Sequence, residues 1–306
     1  MKNLLLREPV RAKIDARVDR LLRELGLPEP PLNLDDVRYV LKLDRTYFSG
    51  ADDSLIAQTV HRLKLAGKQI VRRPTLVLDA IQKFQLRALY LPDRKQILLD
   101  QSVPLLKHRW LEAHEIGHDL IDWHRPFMFG DNDHTPTPAC HEKLETEANY
   151  AAGQLLFLQN RFAADALALP RTFSSIQTLK ARYGNTLTTT LWRYVELLSP
   201  QAIVCGVISE HPHPTLRTAG FNAQHPCKHF IQSSRFAAEF SNTDERFIFD
   251  RIVSYCRRGR KGPLGIAEIE LPDDNGQVHL FTFETFFNGY EALTLGCWSK
   301  PKPVFA

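Results

Sequence analysis

Apolar residues recur at helical spacing from the start of the chain. Ile14, Val18, Leu21, Leu22 and Leu25 lie three or four positions apart, which predicts a helix over Val10–Leu25 with one buried stripe. Gly26-Leu-Pro-Glu-Pro-Pro31 ends it, and Asn33 or Asp35 can cap a short helix over 36–41. Residues 49–85 are mixed and predict two helices around 54–66 and 75–85. Leu86–Leu91 and Gln96–Leu99 flank Pro92-Asp93-Arg94-Lys95, a β-hairpin pattern with a four-residue loop. Pro104 suits the first turn of a long helix running through Trp110 and His118 to about Trp123. Three prolines and a Gly-Asp-Asn-Asp cluster predict a loop over 125–139. A second long helix begins near Glu142 and runs to about Phe157. After Pro170, residues 175–183 and 187–198 form a helical pair separated by Gly184-Asn185.

Beyond Ser199-Pro200 the period changes. Ala202–Ser209 reads as a buried strand, and Gly265–Leu271 and Val278–Phe283 alternate around Asp273-Asp-Asn-Gly276, a strong hairpin signal. Residues 200–306 are therefore expected to form a separate β-rich or α+β domain. A length of 306 residues suits two or three domains. With 43% hydrophobic and 24% charged residues the chain can bury a core, which excludes a disordered or collagenous polymer. No apolar run reaches the ~18 residues of a transmembrane helix. The opening MKNLLLREPVRAK has too short an apolar stretch for a secretory signal, which points to the cytoplasm. The net charge of +4 allows an anionic partner without demanding one. Five scattered cysteines, with no export signal, are expected to stay reduced.

The chemistry concentrates in His114-Glu115-Ile116-Gly117-His118, an HExxH motif on a predicted helix. Residues i and i+4 share one helix face, so two imidazoles there can meet one Zn²⁺. Glu115 lies beside that face, within reach of a water that the metal would activate. Apolar flanks argue against a merely solvated helix: Leu105, Leu106, Trp110, Leu111, Ile116, Leu120 and Ile121. Gly117, costly in a helix interior by ~1 kcal/mol, fits a place where something must approach closely. A third ligand must come from elsewhere. The next helix offers Glu142, Glu145 and Glu147. Glu145 and Asn149, at i and i+4, face one way, so Glu145 can bind the metal while Asn149 hydrogen-bonds a histidine ligand. Glu147 lies about 200° around the helix from Glu145 and should point away. His124, His134 and His141 are rival ligands.

HEIGH preceded by Ala113, and followed 27 residues after His118 by Glu145-Thr-Glu-Ala-Asn149-Tyr-Ala-Ala-Gly-Gln-Leu-Leu156, resembles the ImmA/IrrE metallopeptidases. The likeness covers about residues 85–198. It implies a gluzincin-like site with His114, His118 and Glu145 as zinc ligands, Mn²⁺ as a possible substitute, and Glu115 as base. It also implies an α+β fold: a zincin-like peptidase domain over 1–170, a helical pair over 171–199 and a regulatory, GAF-like sensor domain over 200–306. The substrate it implies is a helix-turn-helix transcriptional repressor, cut to release stress-response or mobile-element genes. Ala151-Ala152 and Leu155-Leu156-Phe157-Leu158 replace the usual FA and LLMP-like residues; these are packing positions, and bear on substrate fit rather than on zinc.

Other constellations stay open. His211, His213, His225, Cys227 and His229 form a second knot that can hold a metal or be a rigid loop. Cys140 can place a thiolate near zinc or simply pack. The 175–198 pair can be read as a DNA-binding helix-turn-helix, but its second helix carries Thr188, Thr189, Thr190 and Arg193 with little positive charge. The basic run Arg257-Arg258-Gly259-Arg260-Lys261 is the alternative nucleic-acid contact, or a solvated loop. Two further function classes therefore stand beside the peptidase: a zinc-stabilised regulator that sequesters a repressor without cutting it, and a DNA-binding regulator.

Overall fold

A computed structural model describes residues 6–48, 88–125, 138–198 and 202–302. The helices expected over 54–66 and 75–85, most of the 125–139 loop, His134 and Ser199-Pro200 lie outside the described residues, as do the side chains of Cys140 and His141. The protein is α+β and, among the described residues, divides into two compact units, the first ending at Gln159 and the second beginning at Asn160.

The first unit holds helices α1 (Glu8–Glu24) and α2 (Leu34–Leu41), then strands β1 (Asp44–Phe48), β2 (Ala88–Leu91) and β3 (Gln96–Asp100). Helices α3 (Leu105–Leu120) and α4 (Pro138–Leu156) follow. Asn33 caps α2 by accepting from the Asp35 N–H. β3 is the middle strand, parallel to β1 and antiparallel to β2, with a 3₁₀ turn at Pro92–Arg94 closing the expected hairpin. α3 packs on β2 and β3, and α1, α2 and α4 pack on α3. Ion pairs pin α3 at its middle and near its C-terminal end. Buried Glu112 takes Arg38 Nε at 2.6 Å and Arg45 Nη1 at 2.9 Å. Buried Asp119 accepts from the Tyr90 hydroxyl and from Lys95 Nζ at 2.8 Å. The motif helix is thus tied along one face, by Glu112 to α2 and β1 and by Asp119 to the β2–β3 hairpin.

α3 is shorter than the expected helix. It stops at Leu120, whose carbonyl accepts from Arg17 Nη1 at 3.1 Å; Ile121 is extended and fully buried, and a single 3₁₀ turn follows over Asp122–His124. No glycine or proline marks that break. Tertiary burial of Ile121 and capture of the last carbonyl by Arg17 end the helix instead.

The second unit begins with α5 (Asn160–Leu167), a helix the sequence pattern did not suggest, then α6 (Phe173–Tyr183) and α7 (Leu187–Leu197). Gly184 caps α6 at φ 65°, a conformation that favours glycine, and Thr186 caps α7. A five-stranded antiparallel sheet follows, in the order β5-β4-β8-β7-β6. Its strands are β4 (Val204–Ser209), β5 (Cys227–Gln232), β6 (Gly262–Pro272), β7 (Val278–Phe287) and β8 (Ala292–Pro301). Helices α8 (Ser234–Glu239) and α9 (Glu245–Tyr255) bring Phe236, Phe240, Ile248, Phe249 and Ile252 into a core with Cys205, Val207, Phe230, Phe281 and Phe283. Helix α7 packs on β4: a Cβ built on Gly206 would lie 3.1 Å from Val195 Cγ2 and 3.5 Å from Leu191 Cγ. Covered on both faces, β4 is buried along its whole length, which explains its uninterrupted apolar run.

The division between Gln159 and Asn160 differs from the expected boundaries at 170 and 199. The helical pair belongs with the sheet because Leu191, Tyr194 and Val195 bury their side chains within that unit. A cut near 198–202 would therefore separate α7 from the strand it covers.

Candidate metal centre

His114 and His118 project from α3, and Glu145 faces them from α4. His114 Nε2 lies 3.2 Å from His118 Nε2 and 3.1 Å from Glu145 Oε2, while His118 Nε2 lies 3.5 Å from Glu145 Oε1. Tetrahedral ligands ~2.0–2.1 Å from a zinc ion stand roughly 3.3 Å from one another, so these atoms converge at metal-site spacing. Glu145 is 41% exposed, which leaves the cluster open to solvent. Among the described residues this is the one group of three or more His, Cys, Asp or Glu able to hold an ion.

Close helix packing sets this spacing. A Cβ on Gly117 would lie 2.8 Å from the Ala148 carbonyl oxygen and 3.3 Å from Ala151 Cβ. The group that approaches Gly117 is therefore the backbone of α4 itself. Gly117→Ala would gain ~1 kcal/mol of helix propensity but must push a backbone away, at about 1–3 kcal/mol. We expect a lower melting temperature and weaker zinc affinity together, since the shift moves Glu145 from the histidines. Unchanged melting and affinity would show that the contact does not set the site.

The electrostatics suit a cation. Burial alone would lower the His114 pKa, but the Glu145 and Glu115 carboxylates outweigh it and raise it. Burial alone would raise Glu145, but hydrogen bonds from His114 and His118 hold it well below the usual carboxylate range. His114 Nδ1 lies 3.0 Å from Asn149 Oδ1; donating there, the ring turns the lone pair of Nε2 towards His118 and Glu145. Nε2 lone pairs facing each other and a carboxylate repel unless a proton or a metal ion lies among them.

Glu115 is 6% exposed. Burial raises its pKa, partly offset by the neighbouring histidines and by a hydrogen bond from the Tyr90 backbone. Tyr90 is on β2, which among the described residues is the sheet edge on the side away from β1, so that edge runs beside Glu115.

Glu147 and His124 lie outside the ligand triad but are joined to it. His124 Nδ1 sits 2.9 Å from His118 Nδ1, and His124 Nε2 sits 3.0 Å from Glu147 Oε2. Trp123 Nε1 donates to the same carboxylate oxygen at 2.6 Å. Burial pulls the His124 pKa down, favouring the neutral ring. Glu142 is exposed at the start of α4, outside the cluster.

The second histidine knot does not assemble into a ligand set. Buried His211 bonds through Nε2 to the Gly259 carbonyl at 2.8 Å, and the Thr215 hydroxyl lies 3.0 Å from His213 Nδ1. His225 is exposed beside Glu245, and His229 packs edge-on to Trp192. Burial pushes the Cys227 thiol up to about 12, away from the thiolate a metal needs. Thr190 and Arg193, which a DNA-reading helix would present, are buried on α7. Arg257, Arg258, Arg260 and Lys261 are exposed.

No protein-family model and no curated protein sequence matches the chain. Its fold is similar to a solved structure described as a Mycobacterium tuberculosis transcriptional regulator. The TM-score is 0.53 at 15% identity, over 95% of this chain and 93% of that one. At that identity the likeness is one of fold.

Proposed function

We propose that the protein is a zinc-dependent endopeptidase of the gluzincin-like ImmA/IrrE type, acting on a helix-turn-helix repressor. The observation that carries the reading is the convergence of His114 Nε2, His118 Nε2 and a Glu145 oxygen within 3.1–3.5 Å of one another. Two imidazoles and one carboxylate are the donor set of a hydrolytic zinc site with an open position, and Mn²⁺ could substitute. When bound, the metal would polarise a peptide carbonyl and acidify a water molecule.

The chain's own groups supply the rest. Glu115, its pKa raised by burial, accepts a proton from the attacking water and returns it to the leaving amine. Among the described residues β2 has no strand on its outer edge, so an extended peptide could add its backbone to the sheet there, beside Glu115. Folded repressors expose few extended segments, so cleavage would fall in a linker or a locally unfolded helix. Docking contacts would come from the second unit, residues 160–306, which we assign a regulatory, sensor-like role. The name of the structural neighbour accords with action in gene regulation. It accords equally with a regulator that sequesters a repressor, but sequestration has no use for Glu115. Among the described residues, no helix is long and apolar enough to cross a membrane.

The test is incubation with purified helix-turn-helix repressors from the same genome, with fragments read by mass spectrometry. One metal-dependent cut, blocked by chelator, is expected. Stable binding without a cut would favour sequestration, and rapid digestion of casein would point to a general protease.

A further inference from the structure

We infer that His124 and Glu147, neither of them a ligand, fix the tautomer and orientation of His118 so that its Nε2 faces the metal. This rests on the metal-site reading above. A metal ion on His118 Nε2, the atom 3.2 Å from His114 Nε2 and 3.5 Å from Glu145, would leave the proton of that ring on Nδ1. The atom 2.9 Å from it is His124 Nδ1, which then accepts. The N–H of His124 falls on Nε2, which donates to Glu147 Oε2 at 3.0 Å. With a metal in place, one proton arrangement satisfies the whole chain.

The setting marks this as more than packing. His124 is 0% and Glu147 1% exposed. A buried carboxylate costs several kcal/mol in desolvation, and apolar residues of similar volume often serve stability as well or better. The backbone also bends to build the contact. On an unbroken helix, His124 would lie six residues past His118, about 240° around and ~9 Å along the axis. The extended Ile121 and the turn at Asp122–His124 fold it back behind His118. There Trp123 steadies Glu147 through Oε2, and Lys143 Nζ lies 3.8 Å from Oε1. His114 has a simpler arrangement, the exposed amide of Asn149 at 3.0 Å. The two zinc histidines are thus held by different means, His118 by the buried and charged one.

Isosteres separate the two halves of the relay. An Asn side chain can place its amide oxygen near the Nδ1 position of a histidine, and a Gln side chain can reach the Nε2 position. His124→Asn should keep the acceptor for His118, whereas His124→Gln should keep the bond to Glu147 and lose that acceptor. We expect His124→Gln to weaken zinc binding on the order of 10–100-fold in a chelator competition. Glu147→Gln should weaken it as well, and His124→Asn should stay within a few-fold of wild type. Circular dichroism of the metal-free variants checks that the fold is kept. Wild-type affinity for both folded Gln variants would overturn the inference, as would equal losses in His124→Asn and His124→Gln. Nitrogen spectra of ¹⁵N-histidine-labelled, zinc-loaded wild type give a reading that needs no variant. Nε2–H and a bare Nδ1 on His124 are expected, and Nδ1–H on His124 would overturn it. Wild type that takes up no zinc would instead sink the metal-site reading itself.

Discussion

His118→Ala will leave the purified protein without stoichiometric zinc. The substitution removes one of the three proposed ligands and opens the pairing of His118 with both His114 and Glu145. It also takes from His124 Nδ1 its neighbour at 2.9 Å. The loss of affinity should exceed the ~10–100-fold that removing an outer hydrogen-bond partner costs. Glu145→Gln should fall in the same direction, because the carboxylate is what offsets the cation's charge. Helix α3 should survive both changes. Glu112 with Arg38 and Arg45, and Asp119 with Tyr90 and Lys95, hold it from the opposite side and make no use of the metal. Elemental analysis after gel filtration, with circular dichroism alongside, checks both halves. Full zinc content in His118→Ala would remove this residue from the site.

Glu115→Gln should separate chemistry from binding. It keeps the side-chain volume and leaves all three proposed ligands in place, but an amide cannot take a proton from water. Zinc content and melting temperature should stay close to wild type, while the rate of cleavage falls roughly 10²–10⁴-fold. Burial gives the size of this effect its physical basis. The same desolvation that raises the Glu115 pKa brings it towards the pH at which a base can both hold and release a proton. Single-turnover rates with the repressor at saturating concentration would isolate the step. A variant that cleaves like wild type would rule out Glu115 as the base.

The elements that bring His114, His118 and Glu145 together were legible because they obey local rules. His114 and His118 at i, i+4, and Glu145 and Asn149 at i, i+4, each define a helix face without knowledge of the fold. The hairpin over β2 and β3 was legible from its turn residues. The relay behind His118 was not, since it depends on a helix ending at Leu120 without a glycine or proline. That ending comes from burial of Ile121 and from Arg17, a hundred residues earlier in the chain. The angular argument for Glu147 placed it away from Glu145, and it does lie outside the triad. What the argument could not supply was the histidine that meets it there. The attachment of α6 and α7 to the sheet was hidden for a similar reason. A change of period at Ser199-Pro200 marks where helix gives way to strand, and says nothing about which strand the helix covers. β8 was missed because its first six residues, Ala292–Cys297, are buried on both faces and show no alternation.

X-ray diffraction from crystals of the zinc-loaded protein at wavelengths on either side of the zinc edge tests the central claim most directly. The account predicts one anomalous peak bounded by His114 Nε2, His118 Nε2 and a Glu145 carboxylate oxygen, with ligand distances of ~2.0–2.2 Å. No peak at that position, or a peak whose ligands come from His211, His213, His225, Cys227 or His229, would contradict it.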